Sequence, residues 1–465
     1  MASDKITSES QSVPWEDPKE SRNPKNWTMP SKLFHISVPC VNSFLLTFAT
    51  SVMVPTVDTL AMRFDISRTA SLLPLTLYTI GLGFGPPFTA SLSEVFGRKW
   101  LYVSTLTCFV CFTAGAGAAQ SFTALLVCRF FAGFLGSAGV AMGAGTISDV
   151  FVLGDKAGNM AALFFILGPF LGPTLGPLAG AYVFEDTDHD WRWTLWLLLI
   201  IAGPILVCTI LMKETAKVAI VRETDRSSKI PTLILGAAIR PAKMMLTDVV
   251  IFSLSVYTAY AYAMIFSFFA SAAYVLGTLY SFDRREVGLG LISVIIGYLL
   301  AIVMFGIIEK RVIQKARDAS PDGKAPPEYQ LIAALIGSLF IPIALFWYAW
   351  EAHRGGRWAS LVASGIPLGF GSFSLFVSEQ FSPCLAILAD SCTTALAANG
   401  ILRYTLGAVF PLFTIQMYEN LGVHWASSVF AILSLALLPI PWVLFRYGPA
   451  LRARQRKEKS NVAAV

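Results

Sequence analysis

The chain has 465 residues, of which 55% are hydrophobic and only 14% charged, with a mean hydropathy of +0.63. Soluble domains carry about 25% charged residues, so this composition excludes an ordinary soluble protein and points to an all-α polytopic membrane protein. The formal net charge of +6 follows from where loop cations fall relative to a bilayer, and no nucleic-acid partner is needed to explain it.

Residues 1–33 are polar and lack the apolar core of a cleavable signal peptide, so they read as a cytoplasmic tail. Twelve apolar runs follow, at about 34–56, 70–90, 101–119, 122–145, 159–184, 193–212, 248–275, 286–308, 329–350, 358–381, 393–418 and 425–445. Each is long enough to cross a bilayer as a helix. Of the 35 Lys and Arg, only Arg63, Arg68, Arg192, Arg284, Arg285, Arg354 and Arg357 lie in the loops opposite the termini. Arg129 and Arg403 lie inside runs, and all the others fall on the side of the termini. The positive-inside rule therefore places both termini in the cytoplasm. The Asn26-Trp27-Thr28 glycosylation sequon then lies on the inner side and is expected to be unused.

The longest inner connection, 213–247, is basic and polar. It divides a six-helix bundle at 34–212 from a second at 248–445, and a basic tail occupies 446–465. Two matched halves joined by a linker are the plan of transporters whose site lies between the halves at mid-membrane. The 309–328 connection, with Pro, Gly and Asp, reads as a hydrophilic loop. All seven cysteines lie in or beside the runs, so no disulfide framework is expected, and Cys108-x-x-Cys111 reads as apolar filler.

Polar residues inside the runs are the candidates for function. Asn42 in the first run is within hydrocarbon reach and is a candidate substrate contact. Between runs two and three, ASLSEVFGRKW (90–100) places Gly97 at a tight turn beside Arg98 and Lys99, with Glu94 as an acid to pair with them or cap a helix. Arg129 sits about seven residues, roughly 10 Å, into the fourth run. It should face the bundle interior with a partner. Asp58, at the outer end of the first run, is a candidate partner at similar depth, or a solvated residue.

In LGPFLGPTLGPLAGAYV (167–183), Gly168, Gly172, Gly176 and Gly180 recur every four residues, with Pro169, Pro173 and Pro177 following three of them. The glycines form one helical stripe that lets another backbone approach closely, and the prolines bend the helix. The run reads as a kinked fifth span in the outer seal, packed against the eighth span of the other half. In the seventh span, Tyr257 and Tyr260 share a face with Met264, while Tyr262 points elsewhere. Such a face suits varied apolar ligands or plain helix packing.

Glu379 and Gln380 end the tenth run. A carboxylate there would carry a coupled proton or merely reach the inner interface; Gln380 is a candidate ligand contact. Asn399 and Arg403, one turn apart near the middle of the eleventh run, share a face that should look inward.

The pattern acid-x-x-Gly-Arg-Lys resembles the signature loop of the major facilitator superfamily, with Ala90 in place of its first glycine and Glu94 in place of its aspartate. Residues 126–151 (LVCRFFAGFLGSAGVAMGAGTISDVF), RNPKNW (22–27), APPE (325–328) and most of 395–428 are similar to the fungal drug:proton antiporters with twelve spans. GPxxGPxxG resembles the antiporter signature of their fifth span. The resemblance implies the two-bundle major facilitator fold, a gating role for the 94–99 loop, proton coupling through Arg129 and a scaffold role for Arg403. Ala132 departs from the glutamine of many members. Ala386 stands where an acid is common, with Asp390 nearby as a replacement.

GxxxxGK[ST], HExxH and GxSxG are absent, and the four histidines are scattered, so neither ATP-driven pumping nor enzymatic catalysis is expected. The expectation is a monomeric antiporter that exports small amphipathic molecules with no cofactor, the proton gradient being its energy source. Its other partners are protons and the lipid bilayer. The plasma membrane is expected, with the vacuolar membrane as the alternative. Proton-coupled or facilitated uptake, and a non-transporting sensor of the same fold, are the rival readings.

Overall fold

In hydrocarbon every backbone polar group must be satisfied within its own segment, so long apolar runs coil into helices. The computed structural model describes residues 15, 17, 20–151, 156–221, 243, 245, 249–320, 326–381, 392–448 and 450. Its long helices are α1 (Met29–Phe48), α2 (residues 73–96, as Leu73–Phe84 and Pro86–Phe96), α3 (Arg98–Gly117) and α4 (Phe122–Val150). They continue with α5 (Lys156–Asp186), α6 (Arg192–Leu211), α7 (Val249–Tyr280) and α8 (Arg284–Ala319). The last four are α9 (Glu328–His353), α10 (Trp358–Gln380), α11 (Cys392–Leu421) and α12 (Val423–Gly448). No strand occurs among the described residues.

Helices α3–α10 and α12 are long and apolar enough to cross a membrane by composition alone. The other three, α1, α2 and α11, fill the same role with more polar residues, including Asn42, Ser43, Asn399 and Arg403. Outward faces are apolar: Ile200, Val207 and Ile210 on α6, and Leu299, Leu300 and Val303 on α8, are exposed. Such faces suit lipid rather than water.

Within the first six helices, α1 packs on α5, α2 on α4, and α3 on α4 and α6. Within the last six, α7 packs on α11, α8 on α10, and α9 on α10 and α12. The two groups meet along α2–α11 and α5–α8. The end of the bundle where α6 stops and the 213–247 linker begins is called the linker end, and the opposite end the far end.

Three elements depart from the hydropathy reading. The first span ends at Phe48 rather than near residue 56, and a separate short helix, Val57–Phe64, follows. Thr47, Thr50 and Thr56 donate their hydroxyls to local carbonyls, competing with helical bonds, and Pro55 withholds a donor. The hydrophilic 309–328 segment is helical as far as Ala319, with a wider π turn at Glu309–Ile313 inside α8. Arg317 reaching back to Glu309 at 3.5 Å supports this extension. The fifth span stays one helix to Asp186 despite three internal prolines. Most of the linker, the basic tail, Ala386 and Asp390 lie outside the described residues.

Candidate functional site

Where the two groups of helices meet, the far end is bridged by side chains around a cavity of about 70 Å³ lined by Val57, Arg68, Thr76, Phe269 and Pro411 among others. Arg284 at the start of α8 pairs with Glu185 of α5 at 2.9 Å, and Arg285 pairs with Asp186 at 2.5 Å. Asp283 and Glu286 form a reciprocal cap that fixes this turn of α8. Gln416 of α11 donates to Thr69 (2.9 Å), and Thr76 of α2 donates to the Ala408 carbonyl (3.2 Å). Deeper in, Phe170 of α5 lies among Tyr262, Tyr298, Phe373 and Phe376, with ring centroids 5.0–5.9 Å away.

On the linker side of this aromatic cluster lies a cavity of about 160 Å³. Its wall comes from α2, α3, α4 and α5 on one side and α10 and α11 on the other. Arg403 and Gln380 line it, as the inward-looking polar positions of α10 and α11 suggested. The Arg403 guanidinium stacks on Phe376 (4.3 Å), Tyr404 (4.8 Å) and Tyr262 (5.2 Å), and its Nε and Nη1 have no hydrogen-bond partner among the described residues. One turn away, Asn399 donates to Glu379 Oε1 and, at 2.7 Å, to Thr258 of α7. Glu379 is buried; its Oε2 has no hydrogen-bond partner among the described residues, and the carboxylate interacts electrostatically with Arg403. Asn399 is thus bonded to Glu379 and does not line the cavity, whereas Arg403 on the next turn does.

The linker-end loop is held within its own half. Gly97 adopts φ = +84°, a left-handed geometry that glycine tolerates, and a side chain there would run into the Glu214 carboxylate. Glu214, just beyond α6, accepts the backbone N–H of Arg98 (2.9 Å) and of Lys99 (3.1 Å), capping the first turn of α3. The Arg98 guanidinium pairs with Asp149 of α4 at 2.5 Å. The side chain of Glu94 lies outside the described residues. Glu214 and Asp149 are partners of this loop that sequence reasoning missed. Their only signal is an acid at the end of an apolar run, which many helices share.

Arg129 is fully buried, as its depth required, but its partners are not acidic. It donates to the carbonyls of Ala49 (2.6 Å) and Pro74 (3.3 Å) and stacks 4.1 Å over Tyr78, whose hydroxyl in turn donates to Leu46. Asp58 is not its partner: it sits on the short helix after α1, exposed, and pairs with Arg68 at 3.2 Å. The early end of α1 explains both facts. It leaves a terminal carbonyl at Ala49 for Arg129 to fill, and it carries Asp58 out to the surface.

The glycine stripe also has a different partner. Side chains at Gly168, Gly172, Gly176 and Gly180 would meet α1 from Cys40 to Phe48 and the segment just beyond it, Ser51 to Pro55, so the stripe packs on the first span and its extension in the same half and not on α8. One carbonyl freed by the prolines is satisfied from that extension: Pro177 cannot bond Pro173, and Ser51 donates to that carbonyl at 2.7 Å. A different face of α5 meets α8, through Leu178 against Gly288 and Thr174 to Tyr298 at 3.2 Å.

In α7 the expected faces are exchanged. Tyr257 donates to the Ser338 carbonyl of α9, Tyr260 to the Phe430 carbonyl of α12, and Met264 is buried, so these three do not line the cavity. Tyr262 is the α7 tyrosine that reaches Arg403 and Phe170. Asn42 packs against Gly139 of α4 and does not line the cavity either. A buried tyrosine hydroxyl needs an acceptor, and neighbouring helices within a half offer carbonyls where the cavity offers few.

Residues 40–411 match the family described as the Major Facilitator Superfamily. The chain is 32% identical to Polyamine transporter 4 of Saccharomyces cerevisiae, across 95% of this chain and 72% of that protein. It is 32% identical to the MFS-type transporter phm3 of Pyrenochaetopsis sp, covering 95% and 94%. It is 31% identical to the efflux pump radE of Floropilus chiversii, covering 96% and 85%. In fold it is similar to the crystal structure of the human organic anion transporter MFSD10 (TETRAN), with a TM-score of 0.58, 16% identity, and coverage of 88% of this chain and 99% of that one.

Proposed function

The chain belongs to the major facilitator superfamily, and on that premise we propose that it exports a small amphipathic molecule in exchange for protons by alternating access. The observation that carries the reading is the cavity of about 160 Å³ between the halves on the linker side, larger than the one of about 70 Å³ on the far side, where Arg284–Glu185 and Arg285–Asp186 join the halves. With the linker cytoplasmic, as the loop charges imply, this is the state that loads from the cytoplasm. The exported molecule rests between Gln380 and Arg403.

Glu379 is the group that couples protons to this cycle. Protonation removes a buried charge and changes the balance between conformations. Its bond from Asn399, which also reaches Thr258, links α10 to α11 and α7. A proton arriving from outside would therefore alter the contacts among the helices beside the cavity. The 94–99 loop and the far-end pairs act as the two gates.

The test uses the purified full chain in proteoliposomes with an imposed pH gradient. Gradient-driven accumulation of a dye or drug panel, abolished by a protonophore, is the expected result. Glu379→Gln should bind the same compounds but lose the dependence of flux on pH. Binding without flux would instead make the protein a sensor, and flux that ignores the gradient would make it a facilitator.

A further inference from the structure

Of the four histidines only His35 is buried, at 3% relative exposure, and it does not line the linker-side cavity. Both of its ring nitrogens are bonded. Nδ1 lies 2.7 Å from the Ser31 carbonyl one turn back on α1, and Nε2 accepts the backbone N–H of Lys213 at 2.9 Å. A carbonyl only accepts and a backbone N–H only donates, so the ring proton sits on Nδ1 and the imidazole is neutral. Trp27 packs on the ring at 4.5 Å, and Phe34 meets it edge-on at 5.2 Å.

The N–H that His35 holds belongs to the first residue beyond the cap of α6, where the linker leaves the bundle. The next residue, Glu214, accepts four N–H groups. Two come from Arg98 and Lys99 at the start of α3, and two from Thr215 and Ala216, both at 2.9 Å, ahead of the short helix Lys217–Val221. Trp27 belongs in turn to a folded N-terminal segment. Its Nε1 donates to the Ser21 carbonyl at 3.2 Å, and the turn Pro24–Asn26 packs on the linker end of α4. His35 thus joins the N-terminal segment, α1 and the start of the linker, one residue from the carboxylate that caps the gate loop.

Protonation would put a second N–H on Nε2, facing the N–H of Lys213, and two donors cannot share a hydrogen bond. The ionisable groups on the surrounding elements are Lys32 on α1, Lys213 and Glu214 after α6, Asp149 on α4, and Glu20 and Arg22, which pair with each other at 2.9 Å. Of these, Lys213 interacts electrostatically with the imidazole, so a protonated ring would also meet a like charge.

Resting on the transport reading for the role of the gate, we infer that His35 is a positioning residue for the linker-end loop: neutral, it holds Lys213 so that Glu214 sits over the start of α3, and protonated, it releases that junction. The closed junction needs the neutral ring, so the released form binds the extra proton and acid on the cytoplasmic side favours release.

Hydrogen exchange on the full chain in lipid nanodiscs, at about pH 7.5 and about pH 5.5 and corrected for the intrinsic pH dependence of exchange, tests this at residues 97–101 and 212–221. The unmodified protein should be protected there at the higher pH and lose at least about tenfold in protection at the lower. His35→Ala should be loose at both. His35→Gln, whose amide oxygen accepts the Lys213 N–H and does not titrate, should be protected at both. Full protection in His35→Ala at the higher pH, or no acid response in the unmodified protein, would overturn the inference. So would the same acid response in His35→Gln, which would assign it to Asp149 or Glu214. Should His35→Ala fail to fold, the unmodified protein and His35→Gln decide. The two proposals fail separately. The expected exchange pattern without gradient-driven flux defeats export and leaves the junction standing, and gradient-driven flux without the acid response does the reverse.

Discussion

Each half of the molecule buries one arginine in its membrane helices, and the two are partnered in opposite ways. Arg129 in α4 is tied to two backbone carbonyls and one tyrosine ring. Arg403 in α11 has aromatic faces around it, interacts electrostatically with Glu379 and lines the linker-side cavity. Depth in the bilayer was the same argument for both, and it holds for both. What depth does not say is whether the charge answers the fold or awaits a ligand. Both leave Nη1 without a hydrogen-bond partner among the described residues; they differ in the two carbonyls that Arg129 holds and in the cavity that Arg403 lines.

This contrast sets the expected effects of substitution. Arg129→Ala strips a donor from two buried carbonyls and leaves a cavity where α1, α2 and α4 meet, so it should cost the first half about 2–5 kcal/mol. Thermal unfolding of the purified chain would read this as a large fall in Tm. An Arg129→Ala protein with unchanged Tm but no coupled transport would return Arg129 to a direct coupling role. Gly176→Leu drives a side chain into Ser51 and the α1 backbone and should cost about 1–3 kcal/mol. Its loss of stability should accompany a loosened α1–α5 contact, measurable by hydrogen exchange. Protection lost at α8 instead would restore the seal reading of the stripe.

Smaller effects sharpen the comparison further. Tyr78→Phe removes the hydroxyl bond to Leu46 but keeps the ring under Arg129, for a cost of about 1 kcal/mol. Arg403→Gln removes the cation that interacts with the buried Glu379 but breaks no hydrogen bond of Nε or Nη1, so it should lower Tm by less than Arg129→Ala does. A fall as large as that of Arg129→Ala would make the two arginines alike.

Much of this was legible in the sequence, and the boundary is instructive. Run lengths placed most of the helices to within a few residues, the ends of α1 and α8 excepted, and the polar positions of α10 and α11 pointed at Gln380 and Arg403, which do line the cavity. The spacing of Gly168–Gly180 correctly called for a close helix neighbour but not for which one. The roles of the two buried arginines read differently once their neighbours are known, and Asp58 left Arg129 because α1 ended eight residues early. Tyr262 and Tyr260 lie two residues apart, yet one reaches the cavity wall and the other a carbonyl of α12.

The sequence alone therefore determined the membrane setting, the positions of the long helices and the burial of Arg129 and Arg403, because hydropathy and helical rise are local properties summed along a run. Only the tertiary structure decided partners: Glu214 for the Arg98–Lys99 turn, α1 for the glycine stripe, carbonyls for Arg129 and an open cavity for Arg403. The physical reason is that satisfying a buried polar group takes atoms from helices far apart in the chain. Which helices those are depends on packing and on a few degrees of rotation, and no periodicity within one helix records either.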